Sequence, residues 1–196
     1  MGKIVIFDLG GVLVNLDWDR VCSRLHEHSG LADVRPEVVN GPTVTSAMRG
    51  QLTPRAYHEA LCEKLVASLS YEDFVESWNS LLSANEAIVP LVEHLRSGHR
   101  LVLASNTDPI HFAYSVERFP VLKNFERYFL SYEMGLLKPD PAYFHHVLYG
   151  LWASPGDCIF IDDRPDVVRA ARNIGITGLV FESIGKLKSD LSELSE

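Results

Sequence analysis

The sequence has little of several things, and each shortage excludes a class of protein. Its 196 residues include three cysteines, Cys22, Cys62 and Cys158, odd in number and widely spaced. They fit neither a disulfide framework nor the paired spacing of a zinc site, and read as buried thiols in a reducing compartment. Cations are outnumbered, 18 Lys and Arg against 26 Asp and Glu, for a formal net charge of -8. Without a basic cluster there is nothing to grip a nucleic-acid backbone. No apolar run reaches the length that spans a bilayer, and the first one turns polar too soon for a signal peptide. Internal repeats and low-complexity segments are absent as well. These shortages lead to an expectation of a cytoplasmic globular protein, monomer or dimer, with no nucleic-acid and no membrane partner.

What is present is a recurring pattern. Hydrophobic residues make up 46% of the chain and charged residues 22%, enough at this length for one core and a small accessory subdomain. Short apolar runs alternate with helical stretches, the pattern of parallel βαβ units. The runs are Ile4 to Phe7, Arg100 to Ala104, Arg127 to Leu130, Cys158 to Ile161 and Thr177 to Phe181. They are apolar throughout rather than alternating, which predicts a sheet covered on both faces. Helix signals agree: Asp140-Pro141 opens a helix that Gly150 would close, and Gly175 would close one opening near Pro165. Gly98 ends another, in which Pro90 predicts a kink or a later start. Between the first two runs, roughly Val14 to Ser83, no strand is evident. Thr53-Pro54 and Ser70 start helices there, so residues 16–83 are expected to form a helical cap on a core of residues 1–15 and 84–196. Leu187, Leu191 and Leu194 predict a short packed helix at the end.

Polar residues follow four of the runs: Asp8, Ser105-Asn106, Lys138 after a loop, and Asp162-Asp163. In open parallel sheets ligands bind outside the carboxyl ends of the strands, where residues distant in sequence can meet. Taken singly, Asp8 reads as a turn residue, Ser105-Asn106 as loop composition and Lys138 as a surface lysine. The adjacent Asp162 and Asp163 are different. Two carboxylates ending a buried strand repel each other and call for a cation. With Asp8 beside them the site would suit a hard, oxygen-preferring ion such as magnesium, and with Lys138 and Ser105 it would suit a phosphate.

Four segments, Ile4 to Val14 (IVIFDLGGVLV), Leu103 to Thr107 (LASNT), Gly135 to Asp140 (GLLKPD) and Ile159 to Asp163 (IFIDD), resemble the haloacid dehalogenase (HAD) superfamily motifs, in the family's order. In detail they resemble its α-D-glucose-1-phosphate phosphatase subgroup. The resemblance implies a Rossmann-like, doubly wound parallel sheet of order 5-4-1-2-3 and a phosphatase acting through an aspartyl-phosphate. It implies Asp8 as nucleophile, Lys138 as charge neutraliser, and Ser105 with the main-chain amide of Asn106 as phosphoryl ligands. Magnesium (Mg2+) would be held by Asp8, the Gly10 carbonyl and Asp163, with Asp162 outside them or alongside. The partner implied is a small phosphorylated metabolite, a sugar phosphate such as glucose-1-phosphate.

Two positions depart from the pattern. Gly10 stands where most such phosphatases carry an Asp that protonates the leaving group; Asp17 and Asp19 could substitute but read better as helix-start carboxylates. Val167 stands where relatives often carry Asn or Asp to support the metal, with Asp166 one place away. Rival readings are a metal-free dehalogenase, which Asp162-Asp163 disfavours, and a catalytically quiet binding protein, which Gly10 favours. His26 with His28, and His145 with His146, have the wrong spacing for joint ligands on a helix. Trp18, Trp78 and Trp152 read as core or subdomain-interface residues, with a substrate-facing role for Trp18 as the alternative.

Overall fold

The computed structural model describes residues 2–194. Its first strand, β1 (Ile4–Phe7), is buried on both faces. A tight loop leads to β2 (Val14–Leu16), followed by five helices: α1 (Trp18–His26), α2 (Arg35–Asn40), α3 (Pro42–Met48), α4 (Pro54–Leu65) and α5 (Tyr71–Asn79). Then β3 (Leu82–Ala84) returns to pair antiparallel with β2. The chain continues through α6 (Val89–Arg96), β4 (Arg100–Ser105), α7 (Pro109–Arg118), β5 (Arg127–Leu130) and the single turn α8 (Ser131–Met134). It ends with α9 (Pro141–Leu151), β6 (Cys158–Asp162), α10 (Pro165–Asn173), β7 (Thr177–Val180) and α11 (Ile184–Glu193).

Five strands form one parallel sheet in the order β5-β4-β1-β6-β7. Counting these strands alone along the chain and reading from the other edge gives 5-4-1-2-3, as the family resemblance implied. Successive side chains of β1 point to opposite faces, which divides the core in two. Val5 and Phe7 pack with α6, α7 and the inserted helices, while Ile4 and Ile6 pack with α9 and α10. Phe7 pairs with Leu103 on one side and Ile161 on the other. Asp8, Asp162 and Ser105 therefore leave the sheet at the same end.

Local signals set most helix starts. Asp17, Thr53, Ser70 and Asp140 each accept a hydrogen bond from a main-chain N–H of the first turn, satisfying donors that a helix leaves unpaired. Pro90 lies in the first turn of α6, so the helix begins later rather than bending. Several expectations need correction. The ribbon of β2 and β3 escapes the sequence because each strand has three residues and its partner lies some 65 residues away. Gly150 does not close α9 but lies within it, where its lack of a side chain makes room for the Phe129 ring, 2.7 Å from where a Cβ would stand. The helix closes instead at Trp152 in a left-handed conformation, and Trp152 is 87% exposed rather than in a core or interface. Cys22 and Cys158 are buried, and Cys62 is only half-buried.

The inserted helices rest on the core near the strand ends. Arg49 donates to the Gly135 carbonyl at 3.2 Å. Gly50, at φ 68°, lets the chain pass so close to the Tyr132 carbonyl that a Cβ would lie 2.0 Å from its oxygen. The Trp78 indole of α5 donates to Asp108 at the start of α7 at 3.0 Å.

Candidate active site

Lys138 is the hub of the site. It is 4% exposed, and its ammonium reaches Asp8 Oδ1 at 2.8 Å, Asp162 Oδ2 at 2.7 Å and the Ala104 carbonyl at 2.9 Å. An ammonium has three protons, and each has an acceptor. Burial alone would lower its pKa, but the two carboxylates outweigh that and raise it, so the charge persists. The loop that delivers Lys138 is fixed by Asn106: the Lys138 main-chain N–H donates to Asn106 Oδ1 and the Asn106 amide donates to the Lys138 carbonyl, both at 2.9 Å. This side-chain duty of Asn106 is not legible from its loop position.

Asp8 follows β1, and its main-chain N–H donates to the Ile161 carbonyl at 2.9 Å. Burial raises its pKa to about 7, with Asp162 adding to the rise and Lys138 opposing it. Asp162 and Asp163 differ sharply although adjacent. Asp162 is 1% exposed, with one oxygen on Lys138 and the other accepting the Arg164 main-chain N–H at 2.9 Å. Asp163 is exposed and has no salt bridge among the described residues. Partial burial and the neighbouring Asp162 raise its pKa. Asp8, Asp162 and Asp163 bring oxygens within 4.8 Å of one another. Three carboxylates against one ammonium leave an excess of negative charge that fits a divalent, oxygen-preferring ion.

Gly11 is a site residue the sequence reading missed. It has φ 75°, and a Cβ would sit 2.3 Å from Asp163 Oδ2, so only glycine fits here. Gly10 has no such backbone demand. Its open side is covered by Leu16, whose Cδ1 lies 3.1 Å from where a Cβ would stand. Ser105 is 2% exposed, and its hydroxyl makes no hydrogen bond among the described residues. Asp166 does not stand in for a metal-supporting residue at Val167: it pairs with Arg164 at 2.7 Å, and Val167 is buried in the core. Asp17 caps α1, and Asp19 pairs with Arg35, which leaves both as helix-start carboxylates.

A second buried network adjoins the first. Asp108 is fully buried and accepts from the Trp78 indole, from His111 Nδ1 at 3.0 Å, and from the Ile110 and His111 main-chain N–H groups. Burial alone would raise its pKa, but the interactions with His111 and the Trp78 indole together lower it. His111 Nε2 faces the Trp78 carbonyl at 2.9 Å, and the two rings stack 4.8 Å apart. Both ring nitrogens thus face acceptors within the protein. The Asp-Pro at 108–109 marks a helix start in the sequence, but nothing there shows that α5 would supply its partner.

Comparison with known proteins agrees with this arrangement. Residues 3–175 match the family model of haloacid dehalogenase-like hydrolases, and the chain belongs to that family. It is a hydrolase, and phosphatases stand among its relatives. It is 25% identical over 187 residues to a D-ribitol-5-phosphate phosphatase of Bacteroides thetaiotaomicron, covering 89% of each chain. A 66-residue stretch, 34% of this chain, is 48% identical to flavin mononucleotide hydrolase 1 of Arabidopsis thaliana, but spans 27% of that protein's length. Among solved structures, a HAD family enzyme from Bacteroides thetaiotaomicron in complex with magnesium and inorganic phosphate superposes with a TM-score of 0.86 at 27% identity, over 95% of this chain and 99% of that one. No helix among the described residues is long and apolar enough to cross a membrane.

Proposed function

We propose that this chain is a magnesium-dependent phosphomonoester hydrolase acting through an aspartyl-phosphate on Asp8. The observation that carries the reading is a buried Asp8 held by Lys138 at 2.8 Å and grouped with Asp162 and Asp163. Asp8 attacks phosphorus, the bond to the alcohol oxygen breaks, and the alcohol departs. Water then attacks the same phosphorus, which frees inorganic phosphate and restores the carboxylate. Lys138 balances charge on Asp8 and the transferring group, and the unengaged Ser105 hydroxyl and the Asn106 main-chain N–H bind phosphoryl oxygens. Gly10 offers no acid, so the departing oxygen takes its proton from solvent.

Asp8, Asp163 and the Gly10 carbonyl would hold magnesium, with Asp162 behind them fixing Lys138. When bound, the ion supplies neutralisation of the phosphoryl charge. The magnesium and phosphate in the related structure support this assignment. Residues 16–83 act as a cap that selects the alcohol, and the contacts of Arg49 and Trp78 with the core support that role. The substrate is a small phosphorylated metabolite. The ribitol-5-phosphate phosphatase among its relatives supports that class.

The test is hydrolysis of p-nitrophenyl phosphate with magnesium, with EDTA, and by Asp8→Asn. Turnover lost in both latter cases is expected. Turnover of this ester that survives EDTA would contradict the magnesium dependence, and carbon–halogen cleavage without phosphatase activity would favour a dehalogenase, which needs no such carboxylate cluster.

A further inference from the structure

We propose that the alcohol half of the substrate is apolar, an alkyl or aryl group rather than a polyol, and that it enters a cavity walled by Leu16, Trp18, Met48, Trp78, Leu81 and Leu82. This rests on the phosphatase reading above and narrows it away from sugar phosphates. The cavity, about 70 Å³, adjoins Gly10, Ser105 and Asn106. It therefore begins where the ester oxygen of a phosphate on Asp8 would leave. Its volume admits a few non-hydrogen atoms, the part of the alcohol nearest phosphorus.

The polar side chains on its lining are already committed. Asn106 is spent on the Lys138 main chain, and the Thr107 hydroxyl donates to the Asp108 carbonyl at 3.4 Å. Both nitrogens of His111 face acceptors within the protein, and the Trp78 indole donates to Asp108. Ser105 belongs to the phosphate. The Trp18 indole N–H alone among the wall's nitrogen donors has no partner among the described residues. Leu16 adds a further observation: it packs over Gly10 and covers with methyl groups the place that a side chain at position 10 would take. A polyol entering here would lose water from several hydroxyls and find one donor in return. An alkyl chain would lose water from apolar surface alone, which is favourable.

The test compares n-butyl phosphate with erythritol 4-phosphate, which share a four-carbon skeleton and a primary leaving oxygen and differ in hydroxyls. With magnesium present, kcat/KM for the butyl ester should be higher by about tenfold or more, the effect of hydroxyls buried without partners. From methyl to butyl phosphate, each added methylene should raise kcat/KM by up to about fourfold. Met48→Gln, which puts an amide on the wall, should narrow the butyl preference. Equal rates, a polyol preference, or no dependence on chain length would overturn the proposal. A calorimetric titration of Asp8→Asn with the same two esters separates this inference from the phosphatase reading. If no phosphate ester, p-nitrophenyl phosphate included, is turned over by the native chain, the phosphatase reading fails. Tighter binding of the butyl ester to Asp8→Asn would still support the apolar pocket, and equal, weaker or absent binding would overturn it.

Discussion

The floor and the wall of the site are built on opposite principles. The floor concentrates charge: Asp8, Lys138 and Asp162 are buried together, and each makes a contact of 2.7 to 2.8 Å with another. The wall concentrates apolar surface from β2, α1, α3, α5 and β3, and the Trp78 indole N–H on it is turned to Asp108 inside the protein. Two of the floor's three groups come from strand ends, which the sheet places to within one residue, and Lys138 arrives on the loop that Asn106 clamps. The wall comes from elements that meet only through tertiary packing. The floor is therefore suited to recognising what all phosphate esters share, and the wall to what distinguishes them.

Removing the hub of the floor should have the largest effect. Lys138→Met leaves Asp8 and Asp162 buried without a cation, which costs about 3–5 kcal/mol when one partner of a buried ion pair is lost. Chemical denaturation should show that loss, and turnover should vanish with it. Near-normal stability would mean that the two carboxylates do not rely on Lys138.

The adjacent acids should then separate by what they lose. Asp163→Ala removes an exposed carboxylate with no salt bridge among the described residues, so stability should hold while the magnesium needed for half-maximal activity rises, by about tenfold to a hundredfold. Asp162→Ala leaves Lys138 and the Arg164 main-chain N–H short of an acceptor, so its main loss should be stability, about 3 kcal/mol. Thermal unfolding and magnesium titration on both variants decide this, and a reversed pattern would exchange their roles.

The raised pKa values of Asp8 and Asp163 give the floor a pH signature. Without metal, folded Asp8 holds its proton up to about pH 7, whereas an unfolded Asp has lost it near 3.8. The folded state thus binds more protons between those values, and stability from this group falls as pH rises through that window. Magnesium requires the ionised form, so the rise in melting temperature on adding magnesium should be small at pH 5 and several degrees larger at pH 8, as about 1 kcal/mol moves a chain of this size by 2–4 °C. A shift independent of pH would place the ion elsewhere.

Where floor meets wall, Gly10→Asp should give the smallest effect. The backbone of Gly10 allows a side chain, but Leu16 must yield. Combining it with Leu16→Ala makes room, and the installed acid should help alkyl phosphates over p-nitrophenyl phosphate by about fivefold in kcat/KM, because a poor leaving group needs the proton more. A change favouring the aryl ester would contradict the view that the acid is missing.

The same contrast explains what could be read from the sequence. The strand-end positions of Asp8, Ser105, Asp162 and Asp163 were legible because an apolar run that stops at a polar residue marks a strand end, whereas the sheet order and the approach of Lys138 from its loop came only from the family resemblance. The caps at Asp17, Thr53 and Ser70 were legible because they act over three residues. The β2–β3 ribbon, the Trp78–Asp108–His111 network and the clamp of Asn106 on Lys138 were not, since each joins segments at least 30 residues apart. Gly11 and Gly10 look alike in the sequence, and only the positive φ and the nearness of Asp163 distinguish them.

The central claim is that Asp8 takes the phosphoryl group, and trapping it is the most direct test. Native protein should be mixed with magnesium and a turned-over ester labelled in its phosphate, quenched in acid during turnover, and digested. The account predicts label on the peptide containing Asp8, lost on treatment with hydroxylamine and absent from Asp8→Asn. Label on another residue, or turnover in Asp8→Asn near the native rate, would contradict it.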